Sequence, residues 1–180
     1  MKTKFFLITL LIASLSFAQA TKNVEESLIK VNFINPGIEY EWGFAKNQTF
    51  DVSAALQFGA RGGSDRGFDW ALIPAFNASY KYFYNLNRRK EKGKRIRGNS
   101  GNFIALNNTT FLNETIIGNL NVTGGYFGQL GPVYGIQRTY SKGFNFSLKM
   151  GFGYYYDDFY EGEFGPILGF SIGWVLGKSK

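Results

Sequence analysis

The chain contains neither cysteine nor histidine, and only four of its 180 residues are proline. The missing cysteine excludes a disulfide framework and an N-terminus lipidated on that residue. The missing histidine removes the usual general base near neutral pH and the commonest transition-metal ligand. Carboxylate and lysine chemistry are the only routes left to catalysis, so the expectation is a protein that is not an enzyme, with no catalytic residue, cofactor or metal site. Long apolar runs are absent too. After the first twenty residues no stretch reaches the ~18 consecutive apolar residues of a transmembrane helix, and mean hydropathy is only −0.16.

Residues 1–20 follow a different pattern from the rest. Lys2 and Lys4 precede an apolar run from Phe5 to Ile12, and small residues lead to Ala18-Gln19-Ala20. A charged start, a short apolar centre and an A-x-A end, in that order, read as a cleaved Sec signal peptide. Cleavage after Ala20 is expected, with cleavage after Ala18 the alternative. Residues 21–180 then form one exported domain without covalent staples.

Within that domain the dominant pattern has a period of two. Phe50, Val52, Ala54, Leu56 and Phe58 alternate with Asp51, Ser53, Ala55 and Gln57. The same rhythm sets Ile38, Tyr40, Trp42 and Phe44 against Glu39, Glu41 and Gly43, and Phe144, Phe146, Leu148, Met150, Phe152 and Tyr154 against Asn145, Ser147, Lys149, Gly151 and Gly153. Such alternation puts one set of side chains on each face of a strand. The polar set, rich in Gly, Ser, Asn and Lys, does not make a dry core. If the strands close on themselves the apolar, aromatic face lies outside, against lipid.

The fold expected is therefore all-β: a closed up-and-down antiparallel transmembrane β-barrel of about eight strands. Their spans are near 27–34, 37–44, 49–58, 67–84, 102–113, 122–138, 143–155 and 164–176. Asn35-Pro36-Gly37 reads as a turn, or else as a bulge in one long strand, which would leave seven. With eight, connections 45–48, 85–101 and 139–142 share the periplasmic side with both termini, and 59–66, 114–121 and 156–163 face outward. Trp42, Phe44, Phe50, Tyr80, Tyr82, Tyr84, Phe144 and Trp174 then fall near one rim, and Phe58, Phe68, Trp70, Phe152 and Tyr154 near the other, as two interfacial girdles.

The net charge of +7 is local. Without Lys2 and Lys4 the chain has 18 basic and 13 acidic residues. Setting aside Arg88, Arg89, Lys90, Lys92, Lys94, Arg95 and Arg97, with Glu91 among them, leaves 11 basic against 12 acidic. The basic character thus belongs to one connection, Asn85 to Gly101, and argues for no nucleic-acid partner. As a periplasmic turn it is expected to be solvated, with anionic cell-wall polymer or lipid headgroups as the candidate partner.

The stretches Val31-Asn32-Phe33-Ile34-Asn35-Pro36-Gly37-Ile38-Glu39-Tyr40-Glu41, Tyr80-Lys81-Tyr82-Phe83-Tyr84-Asn85-Leu86-Asn87-Arg88-Arg89 and Gly131-Pro132-Val133-Tyr134-Gly135-Ile136-Gln137-Arg138 resemble those of small outer-membrane β-barrel proteins of Bacteroidota and, more distantly, OmpA and OmpX barrels. The resemblance implies location in the outer membrane, among lipid and lipopolysaccharide, and no assigned reaction. Gly169-Phe170-Ser171-Ile172-Gly173-Trp174 is similar to the signal read by the barrel-assembly machinery, which the resemblance implies as a partner.

Four charges, Glu39, Glu41, Lys81 and Lys149, are expected to point into the lumen. Eight strands enclose a space just wide enough for side chains to fill, so these charges read as a bonded plug. Arg61 and Arg66, on an expected outer loop, are candidates for lipopolysaccharide phosphates. The loop with Asp157, Asp158, Glu161 and Glu163 lacks EF-hand spacing and reads as a solvated acidic loop. The leading function is a structural or interaction protein of the outer membrane. A narrow porin or solute channel is the alternative, and a secreted soluble lipocalin-like carrier the third reading.

Overall fold

The computed structural model describes residues 22–63, 66–120, 125–157 and 162–176; residues 1–20, where a signal peptide is expected, lie outside the described residues. The elements are β1 (Ser27–Ile34), β2 (Gly37–Ala45), β3 (Gln48–Gly63), β4 (Arg66–Tyr82), α1 (Leu86–Glu91), β5 (Gly101–Leu112), β6 (Ile117–Gly118), β7 (Tyr126–Thr139), β8 (Phe144–Asp157) and β9 (Phe164–Leu176). Each strand pairs antiparallel with its neighbours. β9 returns to β1, from Ile29↔Leu176 to Ile34↔Ile172. The sheet is thus a ring of eight strands in the order β1-β2-β3-β4-β5-β7-β8-β9, with β6 a two-residue addition to the edge of β4.

Asn35-Pro36 is a turn, so the count is eight and not seven. Asn35 adopts the left-handed conformation, φ 59°, which asparagine tolerates better than most residues. The alternation loses its phase nearby because β1 itself is irregular between Asn32 and Ile34. Two other boundaries move. β3 runs to Gly63 rather than 58, since Gly59-Ala60-Arg61-Gly62-Gly63 has no large apolar residue to mark a strand, yet is held in register by β4 from Gly59↔Ala71 to Gly63↔Arg66. Arg61 therefore sits in a strand, not in a loop. β7 begins at Tyr126, and of the expected start 122–124 lies outside the described residues, as do Asp158 and Glu161.

The end of the ring at which the chain passes into β1 and leaves β9 is called proximal, the other distal. The proximal end also carries the β2–β3 turn, the long 83–100 connection with α1, and the β7–β8 turn. Burial is inverted relative to a water-soluble barrel. Lys30, Glu41, Thr49, Asn107, Gln137 and Asn145 are fully buried inside the ring, whereas Leu168, Phe164 and Phe68 are 72%, 71% and 65% exposed outside it. Aromatic rings cluster on the outer face at both ends. Trp42 and Phe44 lie 5.5 Å apart and Phe144 and Trp174 5.7 Å apart proximally, and Phe58 and Trp70 6.4 Å apart distally.

Candidate functional site

The site is the lumen, and β2 begins it. Its odd residues face inward, so Glu39 and Glu41 stand one above the other on the inner wall, both buried. Period two makes this obligatory. Lys30, inward on the neighbouring β1, donates to Glu39 Oε1 at 2.8 Å, Glu41 Oε2 at 2.6 Å and, across the barrel, Gln137 Oε1 at 3.2 Å. An ammonium has three N–H donors, and all three are used. Thr49 Oγ1 donates to Glu41 Oε1 at 2.8 Å, and Gln137 Nε2 donates to Glu41 Oε2 at 3.0 Å. Lys81, from β4, pairs with Asp51 Oδ2 at 3.0 Å and Glu39 Oε1 at 3.4 Å, with its ammonium 5.3 Å from the centre of the Phe103 ring.

The network continues distally through neutral groups. Asn77 Nδ2 donates to Asp51 Oδ1 at 3.2 Å, and Asn77 Oδ1 accepts from Thr109 Oγ1 at 3.0 Å and from Lys149 Nζ at 3.0 Å. Lys149 also donates to Asn107 Oδ1 at 2.6 Å. Of the four charges expected in the lumen, Glu39, Glu41 and Lys81 thus meet in one ion-pair cluster. Lys149 lies apart, bonded to amides and with no carboxylate within ion-pair distance among the described residues. Lys30 and Asp51 complete the cluster. Their inward position follows from the alternation, but the disrupted phase of β1 hides Lys30.

Beneath the charges the proximal mouth is closed. The basic connection is not a free turn: α1 buries Leu86 in one apolar cluster with Phe83, Phe103, Val24, Ala105, Val133 and Ile167. Gly135 leaves the space that the Phe103 ring occupies, since a Cβ there would overlap it. Gly98 and Ser100 then run under the barrel. Thr139 Oγ1 donates to Gly98 O at 2.7 Å, Gly98 N donates to Glu25 Oε1 at 2.9 Å, and Glu25 N donates to Asn99 Oδ1 at 2.8 Å. Arg88, Lys90, Lys92, Lys94, Arg95 and Arg97 remain exposed on the outer side of this plug, and Arg89 is half-buried, its guanidinium donating to Arg95 O at 2.9 Å.

The distal half of the lumen holds a polar cavity of about 90 Å³, whose lining includes Asn32, Ser53, Gln57, Gln129, Ser147 and Lys149. No acid in it is free for chemistry, because Glu39 and Asp51 are engaged by lysines. No group of three potential ligands positioned to hold a metal occurs among the described residues. Comparison with models of known protein families, with curated proteins and with solved structures finds no match.

Proposed function

We propose that this protein is an outer-membrane β-barrel with a structural or interaction role, resembling the small barrels of Bacteroidota, exported by its signal peptide and inserted by the barrel-assembly machinery. One observation carries the reading: buried charges inside a ring of strands, each of which exposes large apolar or aromatic side chains on its outer face. In water that surface would be a severe liability. In a bilayer it is the required one, and ring closure leaves few strand edges unpaired. The solute-channel alternative is disfavoured by the Leu86–Phe103 layer and the ion-pair cluster, which stand in series across the lumen. On this reading the proximal end is periplasmic and its cations face anionic polymer or headgroups, while the distal end faces lipopolysaccharide.

The test is fractionation combined with protease access. The mature chain is expected in the outer-membrane fraction, resistant to carbonate and altered in gel mobility by boiling. Trypsin added to intact cells should spare Arg88 to Arg97 and cut there only after the membrane is permeabilised. A monodisperse periplasmic protein recovered without detergent would overturn the reading. Cleavage in intact cells would invert the orientation.

A further inference from the structure

The barrel wall is incomplete in its distal half. β1 and β2 end at Asn35-Pro36, opposite Ala55 in β3 and Ile172 in β9. β3 continues to Gly63, and β9 begins at Phe164. Beyond the turn, Pro36 O accepts from Leu56 N at 2.8 Å and Asn35 Nδ2 donates to Phe170 O at 3.2 Å. Past these bonds, Gln57–Gly63 and Phe164–Gly169 have no strand partner on that side among the described residues. At the turn the two strands stand three interstrand spacings apart, about 14 Å.

The exposed edge of β9 is blunted at one point. Pro166 has no N–H, and its carbonyl accepts a hydrogen bond from the Tyr155 hydroxyl. The corresponding edge of β4, beyond the end of β5, is instead rebuilt by backbone: β6 pairs with Ala71 and Leu72, and Asn119 N donates to Trp70 O at 2.9 Å. Among the described residues one truncated edge is thus covered and the other is left as a lateral notch. The 90 Å³ cavity reaches it, since Leu168 and Phe170, both on the outer face, line the same space as Lys149 and Asn32.

We infer that the notch and cavity bind a single-chain amphiphile with a carboxylate head, seated from the surrounding lipid. The proposal rests on the membrane reading above. The head lies at Lys149, the one lumen lysine without a carboxylate partner among the described residues. Asn32 points to the same space. It is 7% exposed, lines the cavity, and its side-chain oxygen has no hydrogen-bond partner among the described residues. A carboxylate only accepts, so Asn32 meets it with its amide N–H turned to the cavity. A space of this size, lined by polar side chains, takes a carboxylate. The chain leaves between the strands, over Leu56, Phe58, Leu168 and Phe170.

The experiment uses full-length mature protein purified from a detergent extract of whole cells, its fold checked by heat-dependent gel mobility, and isothermal titration in non-ionic detergent with dodecanoate, dodecanol and butyrate as probes. Saturable binding of dodecanoate is expected, with dodecanol and butyrate weaker by about tenfold or more. Lys149→Gln should cost dodecanoate about tenfold and leave dodecanol unchanged. Leu168→Ala, at a largely exposed outer-face position lining the same space, should weaken dodecanoate about threefold and covers the case in which Lys149→Gln fails to fold. Absence of saturable binding by a heat-modifiable barrel, butyrate equal to dodecanoate, or dodecanol equal to dodecanoate would each overturn the proposal. None of those results depends on where the protein fractionates, so the membrane reading stands or falls separately.

Discussion

The two halves of the lumen are built from similar residue types and reach different states. Proximally, two lysines pair and hydrogen-bond with three acids beside an apolar cluster that includes Phe83, Leu86 and Phe103. Distally, Ser53, Gln57, Gln129 and Ser147 surround open space, and the one cation is held only by amides. The contrast arises from register rather than composition. β1 and β2 span only the proximal half, so side chains there are enclosed by all eight strands, while distally the wall lacks two of them. A polar lumen becomes a rigid plug where the ring is complete and a solvent-sized space where it is not.

Three substitutions test that contrast, in descending order of effect. Glu41→Ala removes the 2.6 Å acceptor of Lys30, which keeps Glu39, and takes the carboxylate away from the buried donors Thr49 Oγ1 and Gln137 Nε2; loss of one member of a buried pair typically costs about 3–5 kcal/mol. Urea unfolding in lipid vesicles should register it, and a change below about 1 kcal/mol would mean that water reaches the cluster. Leu86→Ala opens a hole in the proximal layer and should cost about 2–4 kcal/mol, together with faster tryptic cleavage between Arg88 and Arg97 on exposed proximal ends. Gln57→Ala, in the distal cavity and without a hydrogen bond among those described, should stay within about 0.5 kcal/mol of wild type in the same urea titration. A larger loss there would erase the difference between the halves.

The sequence carried the wall better than the lumen's contents. Alternation is local, so β2, β4, β8 and β9 were legible from residues such as Tyr40, Trp70, Phe152 and Phe170, and the inward direction of Glu39, Glu41, Lys81 and Lys149 followed. Which charges meet was not legible, because pairing across a ring depends on register: Lys149 on β8 is three strands from Glu39 and Glu41 and four from Asp51, but indistinguishable from Lys81 in pattern. Leu86 was hidden in another way. A lone apolar residue among arginines and lysines reads as part of a solvated turn, and only the folding of α1 under the barrel gives it a place. The notch was concealed by the glycine-rich end of β3, whose extension past Phe58 has no hydrophobic signature.

Ring closure has a kinetic consequence. The seam between β1 and β9 extends only from Ile29 to Ile34, whereas the β3–β4 ladder runs from Gln48 to Gly63. It joins the first strand of the chain to the last, so it carries the largest loop-closure entropy and belongs to the slowest class of contact. Lys30 sits on one side of this seam and reaches Gln137 on β7 across the interior. Until the seam forms, its charge stays hydrated. Closing the seam is therefore also the step that encloses the ion pairs, so its cost is electrostatic as well as topological.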